Sequence, residues 1–307
     1  MDVISARIFR FDPESDEGPR YDTFEVPAAP RMRVLDVLDY IHERLAQDIA
    51  YRWYCGVKKC GTCAVMVNGS PALACWEAAQ PEMTIEPLKN LPVVRDLVTE
   101  REPYEKLLAQ LFPLLVRKDD YPGFPEPLTA LEMAPARHLR DCIQCLACVA
   151  ACPVLEQPES GFAGPAALVA LAELALDPRD GADRAGLAQE ICEVFKCVSC
   201  YACERVCPAE IPIVGEAIEP LKRMVTRRGE GAGAHHARAF LEVVKAHGKL
   251  NAPRLALRTQ GLTLDTLRTG VRLAARGKVD LVDAFLRRAP KGAAALRRTL
   301  DAGEDDR

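Results

Sequence analysis

Residues 142–153 read CIQCLACVAACP, and residues 197–208 read CVSCYACERVCP. Both are C-x2-C-x2-C-x3-C-P, with cysteines at Cys142, Cys145, Cys148 and Cys152 and again at Cys197, Cys200, Cys203 and Cys207. Cysteines at two-residue gaps closed by Cys-Pro are spaced to hold iron–sulfur clusters as thiolates. Upstream, Cys55, Cys60, Cys63 and Cys75 read C-x4-C-x2-C-x11-C, which is a 2Fe–2S spacing. Twelve of the 13 cysteines fall into these three runs. Three runs in order on one chain point to electron transfer.

Two other uses of cysteine fit poorly. Disulfide frameworks suit short secreted domains, and their spacings rarely repeat in this way. Tetrahedral zinc is held by C-x2-C pairs and has no use for a third cysteine and a closing Cys-Pro. The length of 307 residues suits two domains with their own cores, and a charged fraction of 27% is ordinary for a globular protein. The longest apolar-rich stretch, Ala163 to Leu176, contains Glu173 and is too short for a bilayer span. The N-terminal residues show no basic segment followed by an apolar one, so no secretory signal is expected.

Charge is uneven. Residues 221–307 carry 19 Lys and Arg against 9 Asp and Glu, leaving the first 220 residues strongly acidic. Such a tail fits a docking surface, an anionic membrane face or simply a solvated basic helix. It has almost no aromatics for base stacking, so nucleic acid is not expected as a partner.

Ile4, Ala6 and Ile8 alternate with polar neighbours as in a strand, and Tyr21 to Val26 reads as its hairpin partner. Val34, Leu35, Val37, Leu38, Ile41 and Leu45 share one helical face. The cysteine loop, a strand CAVMV and an Asn68-Gly69 turn then lead to Cys75. That order predicts a β-grasp 2Fe–2S ferredoxin domain. Gly56, Gly61 and Thr62 are small, as a loop wrapping closely round a cluster requires.

From Leu131 the composition is helical, with Gly164-Pro165 opening a helix and Asp177-Pro178 following its end. In two-cluster ferredoxins the fourth cysteine of each run ligates the other run's cluster. Cys142, Cys145, Cys148 and Cys207 are then expected on one 4Fe–4S cluster. Cys152, Cys197 and Cys203 are expected on the other, with Cys200 available as its fourth ligand. Cys192 stands outside every run and reads as a small buried hydrophobe beside Val194 and Phe195. His235-His236 reads as surface. No phosphate-binding glycine motif and no nucleophile–base pair is present, so no residue is expected to be catalytic.

With these residues in view, the chain resembles the iron–sulfur subunit of succinate dehydrogenase and fumarate reductase. The likeness runs from residue 1 to about 225, through RFDPE at Arg10–Glu14, VLDVLDYI at Val34–Ile41, CGVKKCGTCAVMVNG, IEPLKNLPVVRDLV at Ile85–Val98, GPAALVAL and both Cys-Pro runs. It implies an α+β architecture: a β-grasp domain over 1–105, an all-helical dicluster domain over 106–225 and a basic helical extension over 226–307. It also implies a non-catalytic electron-transfer subunit. Its partners would be an FAD-carrying flavoprotein subunit and a membrane-anchor subunit with a quinone or another acceptor, at the cytoplasmic face of the cell membrane.

Two departures qualify that picture. Most of the family has no cysteine at the position of Cys200 and carries 3Fe–4S as the third cluster. Here the run is complete, so 4Fe–4S of lower potential is expected, with 3Fe–4S and an unused Cys200 as the alternative. Quinone-reducing members usually carry Trp shortly after the first Cys-Pro and often His after the position of Cys197. This chain has Val154 to Gln157 and Val198 there, so a quinone site of the usual kind does not carry over. The stretch His235–Asn251 is similar to the small iron–sulfur subunit of heterodisulfide reductases. That likeness implies a cysteine-rich partner and a thiol- or disulfide-linked reductase as the alternative assignment.

Overall fold

The computed structural model describes residues 3–278 and 290–305. Strand β1 (Val3–Arg10) buries Ile4, Ala6 and Ile8 on one face, as its alternation dictates. It pairs antiparallel with β2 (Arg20–Pro27). Helix α1 (Val34–Arg44) buries Val34, Leu35, Val37, Leu38 and Ile41. At about 1.5–3 kcal/mol for each buried aliphatic side chain, that stripe outweighs the small differences in helix propensity. β3 (Ala64–Val67) and β4 (Ser70–Leu73) form a hairpin. Its Asn68 and Gly69 have φ of 49° and 80°, the left-handed pair that a tight two-residue turn needs.

Sequence alone does not reveal the central strand. β5 (Glu82–Glu86) lies between β1, to which it is parallel, and β3, to which it is antiparallel. The sheet order is therefore β2-β1-β5-β3-β4, a mixed β-grasp sheet. Only Met83 and Ile85 of β5 are fully buried, which is too short an alternation to stand out. Arg10, at the end of β1, donates from Nε to Asp96 Oδ1 at 3.1 Å. Asp96 also accepts from the Phe11 and Ala50 amides at 2.9 and 2.8 Å. This buried cluster ties β1 to the chain that enters the first cysteine loop.

A short ribbon, β6 (Val93–Arg95) and β7 (Val98–Thr99), leads into α2 (Glu102–Gln110). The helical part follows with α3 (Ala130–Met133), α4 (Ala147–Ala150), α5 (Pro165–Ala175), α6 (Arg184–Glu190) and α7 (Ala202–Arg205). A π-helical turn (Ile213–Ile218) then runs into α8 (Glu219–Arg228). α5 is mostly buried and packs against α2, α4, α6 and the π-turn, which explains why every residue of it but Glu173 is apolar. Arg184, 1% exposed, pairs with Asp180 and donates to the carbonyls of Leu111, Phe112 and Leu114, fixing the irregular stretch after α2.

By its contacts the chain divides into Met1–Lys222 and Arg223–Arg307. The sheet and the dicluster region thus share one unit. The reason is a common core: Cys145 and Ala147 pack with Ile4, Ile41 and Ile85.

In the second unit α9 (Gly231–His247) and α10 (Ala252–Gln260) meet through Ala239, Val243 and Leu255. Gly248 ends α9 with φ of 70°, the usual glycine stop. α11 (Leu264–Ala275) lines up Leu264, Leu267 and Val271 as an apolar stripe, and all three are exposed. Leu281, Val282, Phe285, Leu286, Arg287 and Arg288 lie outside the described residues. His235 and His236 are exposed, as read from the sequence.

Candidate iron–sulfur centres

The first cysteine loop is built from backbone. Gly56, Lys58 and Gly61 have φ of 66°, 59° and 72°, so the chain turns repeatedly and points its amides inward. The Lys59 and Cys60 amides each donate to Cys55 Sγ at 3.3 Å, and the Val57 amide does so at 3.5 Å. The Cys55 amide donates to Cys60 Sγ at 3.5 Å. Burial pushes the Cys60 thiol up, but the Thr62 hydroxyl at 3.1 Å, the Thr62 amide and the Cys55 contacts outweigh it and hold the group at about 6. Cys63 and Cys75 are buried side by side, and burial pushes Cys63 up to about 12. The Ala74 amide donates to the Cys63 carbonyl at 3.0 Å, so the end of β4 brings Cys75 back across the loop.

The two Cys-Pro runs have the same local conformation. In the first, Gln144 and Leu146 have φ of 51° and 64°; in the second, the matching Ser199 and Tyr201 have 51° and 61°. A short 3-10 turn precedes each run, and α4 and α7 begin at the same point of each. None of these four residues is glycine. Each costs on the order of 1 kcal/mol or more in the left-handed region, and such strain persists where surroundings impose it at functional sites. The turns aim amides at sulfur: Ser199 N donates to Cys197 Sγ at 3.4 Å. Nothing in the side chains of Gln, Leu, Ser or Tyr announces this conformation.

The tertiary structure sorts the eight cysteines into two groups. Cys142, Cys145, Cys148 and Cys207 line one space of about 360 Å³. Cys152, Cys197, Cys200 and Cys203 line another of about 310 Å³. The fourth cysteine of each run faces the other run's space, as two crossed clusters require. Among the described residues no three His, Cys, Asp or Glu converge as ligands of a single ion. A multi-iron cluster makes a different demand, with several separate thiols around one concavity, and each group of four lines one.

Apolar walls surround both groups. Ala166, Val169 and Ile211 line the first, and Phe162, Val214 and Ile218 the second. Burial pushes the thiols of Cys145 and Cys203 up to about 11 and about 12, and that of Cys148 far up. Iron bound there would displace those protons, so loading would be coupled to their release. Cys200 differs: it is exposed where its counterpart Cys145 is 7% exposed, with Val198 and Tyr201 exposed beside it. Cys192 lines neither space and is fully buried, with its thiol pushed up to about 12 by burial.

Two residues that sequence reasoning does not single out join the centres. Asn90, with φ of 62°, donates from Nδ2 to the carbonyls of Val149 and Cys152 at 2.9 and 3.1 Å. Asn tolerates that conformation better than most residues, so a signal is present. Arg101 donates to the Gln144 carbonyl at 3.0 Å.

Comparison with known proteins agrees with this geometry. Residues 5–106 match the 2Fe-2S iron-sulfur cluster binding domain family, and residues 138–211 match the 4Fe-4S dicluster domain family. The fumarate reductase iron-sulfur subunit of Haemophilus influenzae is 34% identical over 137 residues, which is 43% of this chain and 54% of that protein. A subunit of the CoM/CoB fumarate reductase of Methanothermobacter marburgensis is 34% identical over 229 residues, 75% of this chain and 46% of that protein. The chain thus spans about half the length of these curated relatives. A chain of the Mycobacterium smegmatis Sdh1 complex in the apo form aligns with a TM-score of 0.69 and 29% identity, covering 74% of this chain and 97% of its own.

Proposed function

We propose that this chain, a homologue of the iron–sulfur subunits of fumarate reductase and succinate dehydrogenase, relays electrons between a flavoprotein subunit and an acceptor on the membrane side of a larger complex. The observation that carries this reading is the sorting of eight cysteines into two crossed groups, beside a separate loop of four. In this reading Cys55, Cys60, Cys63 and Cys75 hold 2Fe–2S. Cys142, Cys145, Cys148 and Cys207 hold 4Fe–4S, and Cys152, Cys197, Cys200 and Cys203 hold a third cluster, of the 4Fe–4S type. When bound, each cluster supplies a one-electron redox site.

The chain's own residues supply the path and its surroundings. Gly61 brings the first loop against Cys145, so electrons need not cross water between the first two centres. Cys148 and Cys203, both buried, face the two adjoining spaces within one apolar region. Cys200 with Val198 and Tyr201 gives the third centre an exposed edge where an acceptor subunit can approach. Flavin-bound succinate or fumarate chemistry would belong to the partner subunit. The cytoplasmic face of the cell membrane is the proposed location. Among the described residues no helix is long and apolar enough to cross a membrane.

A second reading has its own support. The Methanothermobacter relative, named for CoM/CoB, matches 75% of this chain, and the full third cysteine run is present. On that reading the acceptor or donor is a thiol–disulfide couple handled by a cysteine-rich subunit. Purification of the native complex separates the two: a flavoprotein with a membrane anchor supports the first reading, and a cysteine-rich subunit supports the second. A chain that co-purifies with no flavoprotein would sink both.

A further inference from the structure

We propose that the Tyr104 hydroxyl donates a hydrogen bond to a sulfur of the second centre and thereby raises its reduction potential; the proposal rests on Cys142, Cys145, Cys148 and Cys207 holding that centre. Tyr104 is 6% exposed, and its hydroxyl oxygen is buried with no hydrogen-bond partner among the described residues. A buried tyrosine hydroxyl ordinarily finds a partner, because an unmade bond forfeits the hydration it has in the unfolded chain. Phenylalanine would fill almost the same space without that loss.

The start of α2 is fixed against the first Cys-Pro run. Arg101, the residue before the helix, donates to the Gln144 carbonyl at 3.0 Å. Tyr104 follows in the first turn and is the one fully buried residue of α2. That helix packs on α5, whose Ala166 and Val169 line the space shared by Cys142, Cys145, Cys148 and Cys207. Burial, followed by the charges of Cys142 and Cys148 and more weakly Cys145, pushes the pKa of the hydroxyl up, against a smaller pull from Arg101. Three of the four thiols of this group therefore lie within electrostatic reach of it. The hydroxyl keeps its proton and stands there as a donor.

The other buried polar atoms without a partner among the described residues do not compete for this role. Arg95 Nε and Arg117 Nε belong to guanidinium groups that make ion pairs through their other nitrogens, with Asp12 and Glu126. Gln189 Oε1 is an acceptor, for which sulfur has no proton to give. The Gln144 and Ala147 amides already serve Cys142 and Cys145, so Tyr104 adds a side-chain donor to a set of backbone donors. Reduction adds one electron, and hence one negative charge, to the centre, with no covalent bond made or broken and the phenol proton retained. A donor bonds more strongly to more negative sulfur, so it favours the reduced state.

The test is a redox titration of the purified complex followed by electron paramagnetic resonance, with pulsed proton spectroscopy of the reduced second centre before and after exchange into heavy water. Tyr104→Phe is expected to shift the reduced-to-oxidised ratio of that centre about tenfold toward oxidised at a fixed potential, which is 59 mV for one electron. It should also remove one exchangeable-proton coupling, which a merely structural role would not do. The other two midpoints and the iron content should stay as in the wild type. Fluorotyrosine placed at position 104, a stronger donor of nearly the same shape, should move the second midpoint the opposite way. An unchanged second midpoint or an undiminished set of exchangeable couplings in Tyr104→Phe overturns the proposal. If Tyr104→Phe loses the second centre, the fluorotyrosine protein decides alone, and an unchanged or lowered midpoint overturns it. If Cys142→Ala leaves the second centre in place, the ligand reading fails instead, and the proposal with it.

Discussion

Gly61 and Cys145 lie in close contact: a Cβ built on Gly61 would stand 2.9 Å from Cys145 Cβ and 2.8 Å from the Ile143 carbonyl oxygen. Gly61 also has φ of 72°, so two independent constraints require glycine between Cys60 and Cys63. This contact joins the first cysteine loop to the first Cys-Pro run. Gly61→Ala is expected to destabilise the protein by about 1–3 kcal/mol and to slow reduction of the second centre by the first. A denaturation series and rapid-freeze spectroscopy of the two signals check both; unchanged values in each would refute the role given to the contact.

Cys60→Ala should remove the 2Fe–2S resonance and leave the other two centres intact. Cys60 is half-buried, close to Cys55 and Thr62, and lines neither of the other cysteine groups. Persistence of the signal would show that a different set of ligands holds the first cluster.

In the proposed reading, Cys200 decides the type of the third cluster. Protein isolated without oxygen should show no 3Fe–4S resonance accounting for a full cluster, and Cys200→Ala should create one. The local backbone of Cys200 repeats that of Cys145, so its thiol is already turned toward the shared space. A full 3Fe–4S signal in the wild type would leave Cys200 as an unused thiol.

Arg184→Ala should cost about 3–5 kcal/mol, because it strands a buried Asp180 carboxylate and leaves three carbonyls without their donor. Burial pushes the Asp180 carboxyl up, but the Arg184 hydrogen bond and the Val116 amide outweigh it and hold the group below its ordinary range. A depressed folded pKa contributes stability that is complete at neutral pH and is lost as pH falls through that value. The difference between wild type and variant should therefore narrow in acid. A constant difference across the acid range would contradict this account.

Leu267→Ser with Val271→Ser should change stability by no more than about 0.5 kcal/mol, since both side chains are exposed on α11. A clear fall in the melting temperature of the isolated chain would show that the stripe is packed within it.

Much of this protein is legible in one dimension. Ligand spacing is a local property, because a run such as Cys142, Cys145 and Cys148 spans only seven residues of chain. The alternation of β1, the stripe of α1, the Asn68-Gly69 turn and the start of α5 at Pro165 are local too, and each appears where its residues predict, except that Leu45, read onto the α1 face, lies at the helix end and is exposed. Cys192 reads as a buried small hydrophobe, and it is fully buried.

Other features are settled only when distant segments meet. β5 occupies the middle of the sheet through hydrogen bonds to β1 and β3, which its own short alternation cannot disclose. The left-handed turns at Gln144, Leu146, Ser199 and Tyr201 run against residue preference, so they are imposed by how the loops pack rather than by the side chains. The exposure of Cys200 against the burial of Cys145 distinguishes two runs of identical spacing, and burial depends on the neighbours that the fold supplies. The same holds for Tyr104, whose hydroxyl lies within electrostatic reach of Cys142, Cys145 and Cys148 far along the chain. Sequence alone determined which atoms can bind iron, because that is a matter of residue type and short spacing. Tertiary structure decided which thiols share a space, which are wetted and which polar groups lie near them, because those depend on residues far apart in the chain.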